Sequence, residues 1–175
     1  LLQDRLGEAR VNAMLAELLD RYRFKSQPYA TSTDLVDGYK SLARNDQERQ
    51  LITDLLENIT VYDLKADTAS VTEREDGKFE TTLVVQAAKF YADGEGLETE
   101  ASLDDNIDVG LFASRPGLEA FGAADVIEFS RRPISDGRQE FVMVTDQKPA
   151  YAGVDPYNKY IDRNSDDNVI AVDSL

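Results

Sequence analysis

The chain has 175 residues, no histidine, no cysteine and a formal net charge of −15. Zinc, copper and non-haem iron sites lean on imidazole or thiolate ligands, and Ser-His-Asp triads and thiol nucleophiles need one of the two, so carboxylate chemistry is what remains. The acidic balance argues against nucleic acid and anionic lipid as partners, and the length suffices for a core without disulfides.

The apolar stretches fall short of the roughly 18 residues a membrane span needs, so no direct membrane insertion is expected. Leu1-Leu2-Gln3-Asp4-Arg5 carries neither an initiator Met nor a basic leader, and the start reads as a cut. Up to residue 57 the apolar positions keep a helical period. Val11, Met14, Leu15, Leu18 and Tyr22 predict a first helix, Leu35, Val36, Tyr39 and Leu42 a second, and Leu51, Ile52, Leu55, Leu56 and Ile59 a third. Thr31 or Ser32 can cap the second helix, with Asp34 in its first turn, and Gly38 inside it suggests a close helix contact. Stripes this short are expected to need another surface for burial, so the helices should pack on the C-terminal part of the chain. The first helix is expected to be partly exposed, through Val11, Leu15 and Leu18.

From residue 58 the period becomes two. Phe79, Thr81, Leu83, Val85 and Ala87 share one face of a long strand, and Ile107, Val109 and Leu111 one face of another. Ile127 with Phe129, and Phe141 with Met143, mark two more strands. Asp76-Gly77 and Asp136-Gly137 read as hairpin turns, and Asp93-Gly94 also borders a strand. The pattern predicts an α+β chain, with about three helices over 1–57 and an antiparallel, immunoglobulin-like β-sandwich over 58–175.

Several clusters invite a functional reading. Asp162-x-Asn164-x-Asp166 has the spacing of half a calcium loop, with Asp173 at the twelfth position. The required Gly is Asp167 and no helical pattern flanks the run, so an acidic, solvated tail with Asx turns fits better. Asp104, Asp105 and Asp108 could serve as paired acids, but strand alternation separates neighbouring side chains and turn polarity explains them better. Asn58-Ile59-Thr60 matches a glycosylation sequon at a junction expected to be buried, which favours chance. Tyr151, Tyr157 and Tyr160, near Pro149 and Pro156, could form a stacking surface or cover a core edge.

Arg21-Tyr22-Arg23-Phe24, Pro28 to Val36, Leu51 to Ala66, Asp76 to Gly96, Asp104 to Phe112 and Asp155 to Asn168 carry, in this order, a resemblance over nearly the whole chain. They resemble the C-terminal end of aminopeptidase N-like (gluzincin) zinc metallopeptidases, in the bacterial branch fused to an ABC-transporter-permease-type membrane part. The resemblance implies that the catalytic HExxH helix, its zinc and the downstream Glu lie in a preceding catalytic domain, since this chain has no matching residues. Residues 1–57 would then adjoin that domain, and the sandwich would shape peptide access as a non-catalytic module. The implied parent sits at the bacterial inner membrane with this part on the periplasmic side. Its implied partners are the catalytic domain and the parent's peptide substrates. Read from the residues alone, a free-standing immunoglobulin-like module for a peptide or glycan, or a carboxylate-only hydrolase, stays open.

Overall fold

Helical rhythm gives way to strand alternation at the point where the chain divides into two units, Leu1–Ile59 and Thr60–Leu175. A computed structural model of the chain describes residues 1–174. It is an α+β protein, and among the described residues no helix is long and apolar enough to cross a membrane.

The first unit has four helices, α1 (Leu2–Leu6), α2 (Glu8–Tyr22), α3 (Ser32–Leu42) and α4 (Asp46–Leu56), where the apolar period predicted about three. The extra one is five residues long, too short to show a period, and Gly7 separates it from α2 at φ 93°, a conformation L side chains rarely adopt. Thr31 caps α3 as expected. Its hydroxyl accepts the Asp34 N–H at 3.3 Å, while the Asp34 carboxylate accepts the Thr31 N–H at 2.8 Å. The Tyr22 hydroxyl donates to the same carboxylate at 2.7 Å, tying the end of α2 to the start of α3. Hydrogen bonds from the Thr31 and Tyr22 hydroxyls lower Asp34 to about 2. Asn45 caps α4 by accepting the Glu48 N–H at 2.8 Å.

Leu6, Val11 and Ile52 form this unit's own core, with Leu2, Leu15, Tyr39, Leu42 and Ala43 packed around them. Val11 and Leu15 therefore belong to a helix–helix core and are not an open docking stripe. Leu18 is half-buried, and the large apolar residue that α2 leaves exposed is its neighbour Leu19. Gly38 does mark a close approach, since a Cβ there would lie 2.6 Å from Met14 Sδ.

Among its described residues the second unit holds nine strands: β1 (Ile59–Glu73), β2 (Phe79–Ala92), β3 (Glu98–Ala101), β4 (Asp104–Phe112), β5 (Val126–Ser135), β6 (Gly137–Thr145), β7 (Tyr151–Val154), β8 (Val169–Ala171) and β9 (Asp173–Ser174). One sheet runs β3-β2-β1-β9, with β6 also on β2; the other runs β5-β4-β7-β8. β6 pairs with Phe79–Ala87 and β3 with Lys89–Ala92, so the two follow one another along β2. Thr81, Leu83, Val85 and Ala87 of β2 are buried in the expected period of two, although Val84 is buried too and Phe79 only half-buried. β4 departs from that period, being buried at every position from Ile107 to Phe112.

Three features depart from the sequence reading. The first sheet is mixed, because β9 runs parallel to β1 (Ser70 beside Asp173, Val71 beside Ser174). Asp136-Gly137 is not a hairpin: β5 pairs with β4 and β6 with β2, so this turn carries the chain between sheets while the Asp136 carboxylate accepts the Leu103 N–H. The second hairpin lies at Asp93-Gly94, where the Asp93 N–H reaches the Leu97 carbonyl at 3.1 Å. Asp76-Gly77 does close a tight turn from β1 to β2, with the Arg74 N–H on the Lys78 carbonyl at 2.8 Å. Ile127 and Phe129 are only half-buried or less; the buried apolar residue of β5 is Ile134.

β7 and β8 meet where Gly153 leaves room for its neighbour. A Cβ on Gly153 would lie 2.6 Å from the Asn168 carbonyl oxygen and 2.8 Å from Val169 Cγ2. Backbone cannot swing aside as a side chain does, so Gly153→Ala is expected to destabilise the protein by about 1–3 kcal/mol. A urea midpoint equal to that of the parent chain would contradict this.

Candidate functional site

The densest polar chemistry lies around β4 and the Asp155–Asn168 segment. Asp105 projects with Ile107, Val109 and Leu111, and Asp108 with Gly110 and Phe112, as strand alternation requires. Both are buried, at 4% and 5% exposure, so they are not turn residues; Asp104 alone of the three is exposed.

Asp105 accepts a hydrogen bond from the Tyr62 hydroxyl at 3.2 Å and lies 4.0 Å from Lys89 Nζ. Lys89 is 2% exposed, so an ammonium and a carboxylate sit together inside the unit, contributed by one sheet each. On the other face of β4, Asp108 takes Arg131 Nε at 2.9 Å and Lys159 Nζ at 2.9 Å. Arg131 is its register partner on β5. Burial pushes the Asp108 carboxyl upward, but the hydrogen bonds from Arg131 and Lys159 outweigh it and hold the group below the usual range.

Asp155 sits at φ 40° and is 1% exposed. Its N–H donates to the Asp108 carbonyl at 2.8 Å, and its carboxylate accepts the N–H groups of Lys159 at 3.1 Å and Tyr160 at 2.9 Å. Burial raises it to about 6 against the pull of those two amides, with the nearby Asp108 charge adding to the rise. Tyr160 packs edge-on against Tyr62, ring centres 4.7 Å apart, and its hydroxyl donates to the Asn106 carbonyl.

The Asp162 run is not a solvated tail throughout. The Tyr62 N–H reaches the Ile161 carbonyl at 2.9 Å and the Arg163 N–H reaches the Tyr62 carbonyl at 2.8 Å, so the segment joins the edge of β1 in parallel. Half-buried Asp162 extends that ladder through its side chain, which accepts the Leu64 N–H at 3.3 Å and the Asn164 N–H at 3.4 Å. Burial raises Asp162, with the Asn168 amide beside it acting in the opposite direction. The expected Asx turns are present, since Asn164 in turn accepts the Asp166 N–H. Asp162, Asn164, Asp166 and Asp173 nonetheless do not come together as ligands: Asp173 pairs with Ser70 in β9. Among the described residues no group of three or more acidic side chains is placed to hold a metal ion.

The three tyrosines do not share a surface. Tyr151 lies in β7 between Phe112 and Ala171, and Tyr160 is buried. Tyr157, 42% exposed, joins Phe112, Phe121 and Phe129 in an aromatic cluster with ring centres 5.2 to 6.4 Å apart. Gly110 makes the cluster possible, since a Cβ there would lie 2.4 Å from Phe112 Cζ. In the sequon, Asn58 and Ile59 are exposed and only Thr60 is buried, contrary to the expected burial.

Sequence reasoning passed over Lys89, Arg131, Lys159, Asp155 and Tyr62. Lys89 was detectable, because it continues the inward phase of Thr81 to Ala87, and a cation at a core position requires a buried counter-charge. Comparisons with family models, with curated proteins and with solved structures return no match for this chain.

Proposed function

We propose that this chain is a non-catalytic C-terminal module of a membrane-associated bacterial zinc aminopeptidase, with its all-β unit an immunoglobulin-like sandwich. The module packs against the parent's catalytic domain on the periplasmic side and limits which peptides reach the zinc. Zinc, the HExxH helix and the peptide substrates belong to that domain. The division of the described strands into two sheets supports the sandwich, with β2 antiparallel to β3 and β6, β4 to β5 and β7, and β7 to β8, and only β9 parallel to its neighbour β1.

The observation that carries the reading is the state of the Asp155–Asn168 segment, the last of the resembling runs. Asp155, Lys159, Tyr160 and Asp162 are all bound to β1, β4 or their own loop. Asp105, Asp108 and Asp155 are 5% exposed or less, which leaves little of this set of carboxylates open to a dissolved substrate. That weighs against a two-carboxylate hydrolase, which needs two acids flanking a bound substrate. The split of Tyr151, Tyr157 and Tyr160 likewise weighs against one stacking surface for a glycan.

The isolated chain is expected to retain no zinc through dialysis and to leave aminoacyl-nitroanilides intact. Stoichiometric zinc, with turnover that a chelator abolishes, would overturn the proposal.

A further inference from the structure

Five strands end the two sheets, and four of them are guarded. β3 is four residues long with Glu98 and Glu100, β8 has three residues and β9 two. β5 is long but carries Arg131, Arg132 and Pro133, and proline has no N–H to offer a neighbour. β6 differs. It runs for nine residues without proline, and among the described residues its ladder is with β2 alone. Its outward positions include Val142 and Val144, 55% and 47% exposed.

The charges along that edge are self-complementary. Laid antiparallel on a copy of itself about Val142, the strand sets Val142 against Val142, Glu140 against Val144, and Arg138 against Asp146. The last pair occurs twice by symmetry. Centring on Met143 instead would oppose Glu140 to Asp146, two like charges, and centring on Gln139 would leave both valines outside the contact. Arg138 is exposed, and the Asp146 side chain is 87% exposed beside Lys78 at 3.0 Å.

We propose that a second copy of this chain docks antiparallel along the free edge of β6, joining the two β6-bearing sheets across a two-fold axis at Val142. The contact covers the exposed valines and uses backbone groups that β2 leaves open. It is independent of the enzyme proposed as the parent.

Sedimentation equilibrium over rising concentration tests this on the whole chain, with thermal melts verifying that each variant folds. The parent chain is expected to form a dimer. Val142→Lys, which sets two ammonium groups face to face at the axis, abolishes it. Arg138→Glu and Asp146→Arg each weaken the dimer by about tenfold, because two attractive pairs become two repulsive ones. The double variant Arg138→Glu/Asp146→Arg restores it. A chain that stays monomeric throughout, a dimer indifferent to Val142→Lys, or a double reversal no better than the single ones would overturn the proposal.

Discussion

Asp105→Ala is expected to destabilise the chain by about 3–5 kcal/mol, the range for breaking a buried ion pair from one side. The cause is the ammonium left behind. Lys89 Nζ stands 4.0 Å from Asp105 with its side chain 2% exposed, and the Tyr62 hydroxyl donates to the same carboxylate. Removing the acid strips the buried cation of this counter-charge and the phenol of its acceptor. Replacing both ions together, Lys89→Met with Asp105→Leu, is expected to recover most of the loss, since apolar residues of similar size need no counter-charge. Urea unfolding of the parent chain and these two variants decides it. A single-variant loss under about 1 kcal/mol, in the range of an exposed pair, would contradict the account.

Stability is expected to fall by about 3 kcal/mol as pH rises from 4 to above 6, because of Asp155. Burial lifts its folded value to about 6 from 3.8. The folded chain therefore binds the proton more tightly than the unfolded chain. Stability from this group is complete below the unfolded value, is lost as pH climbs through the folded one, and is flat beyond. Burial raises Asp162 as well, which adds in the same direction. Asp34 and Asp108 are lowered, so what they contribute is lost on acidification, below the window in which Asp155 acts. Asp155→Asn keeps a side-chain acceptor for one of the two amides and removes the charge, and should erase the decline between pH 4 and 6. Parallel pH profiles for the parent chain and this variant would refute the assignment.

The long elements were legible because their periods are long enough to count. β2 shows five alternating positions from Phe79 to Ala87, and the stripes of α2 and α4 repeat over several turns. What was missed has physical reasons. α1 has five residues and β9 two, below any period. Asp136-Gly137 has the composition of a hairpin, but a turn's residues do not say whether the strands on either side join the same sheet. Asp105 and Asp108 looked like turn polarity because their partners are distant in the chain. Arg131 and Lys159 lie 23 and 51 residues from Asp108. Asp155 carries no local signal at all, since its burial comes from the fold and its bonds from amides that any residue supplies.

The role of Asp155–Asn168 changes most between the two readings. As a sequence it suggested calcium or an exposed tail. In the fold its side chains bind β1 and β4, which suits a module whose work is packing and support. Tyr157 and Phe129 stay partly exposed, their ring centres 5.2 Å apart.

The most direct test of the proposed function is the complete reading frame that carries this chain. The account predicts an HExxH helix with a downstream Glu, and hydrophobic spans, encoded ahead of Leu1. A complete gene of about this length, with no peptidase before it, would contradict the account and leave the free-standing binding module as the reading to pursue.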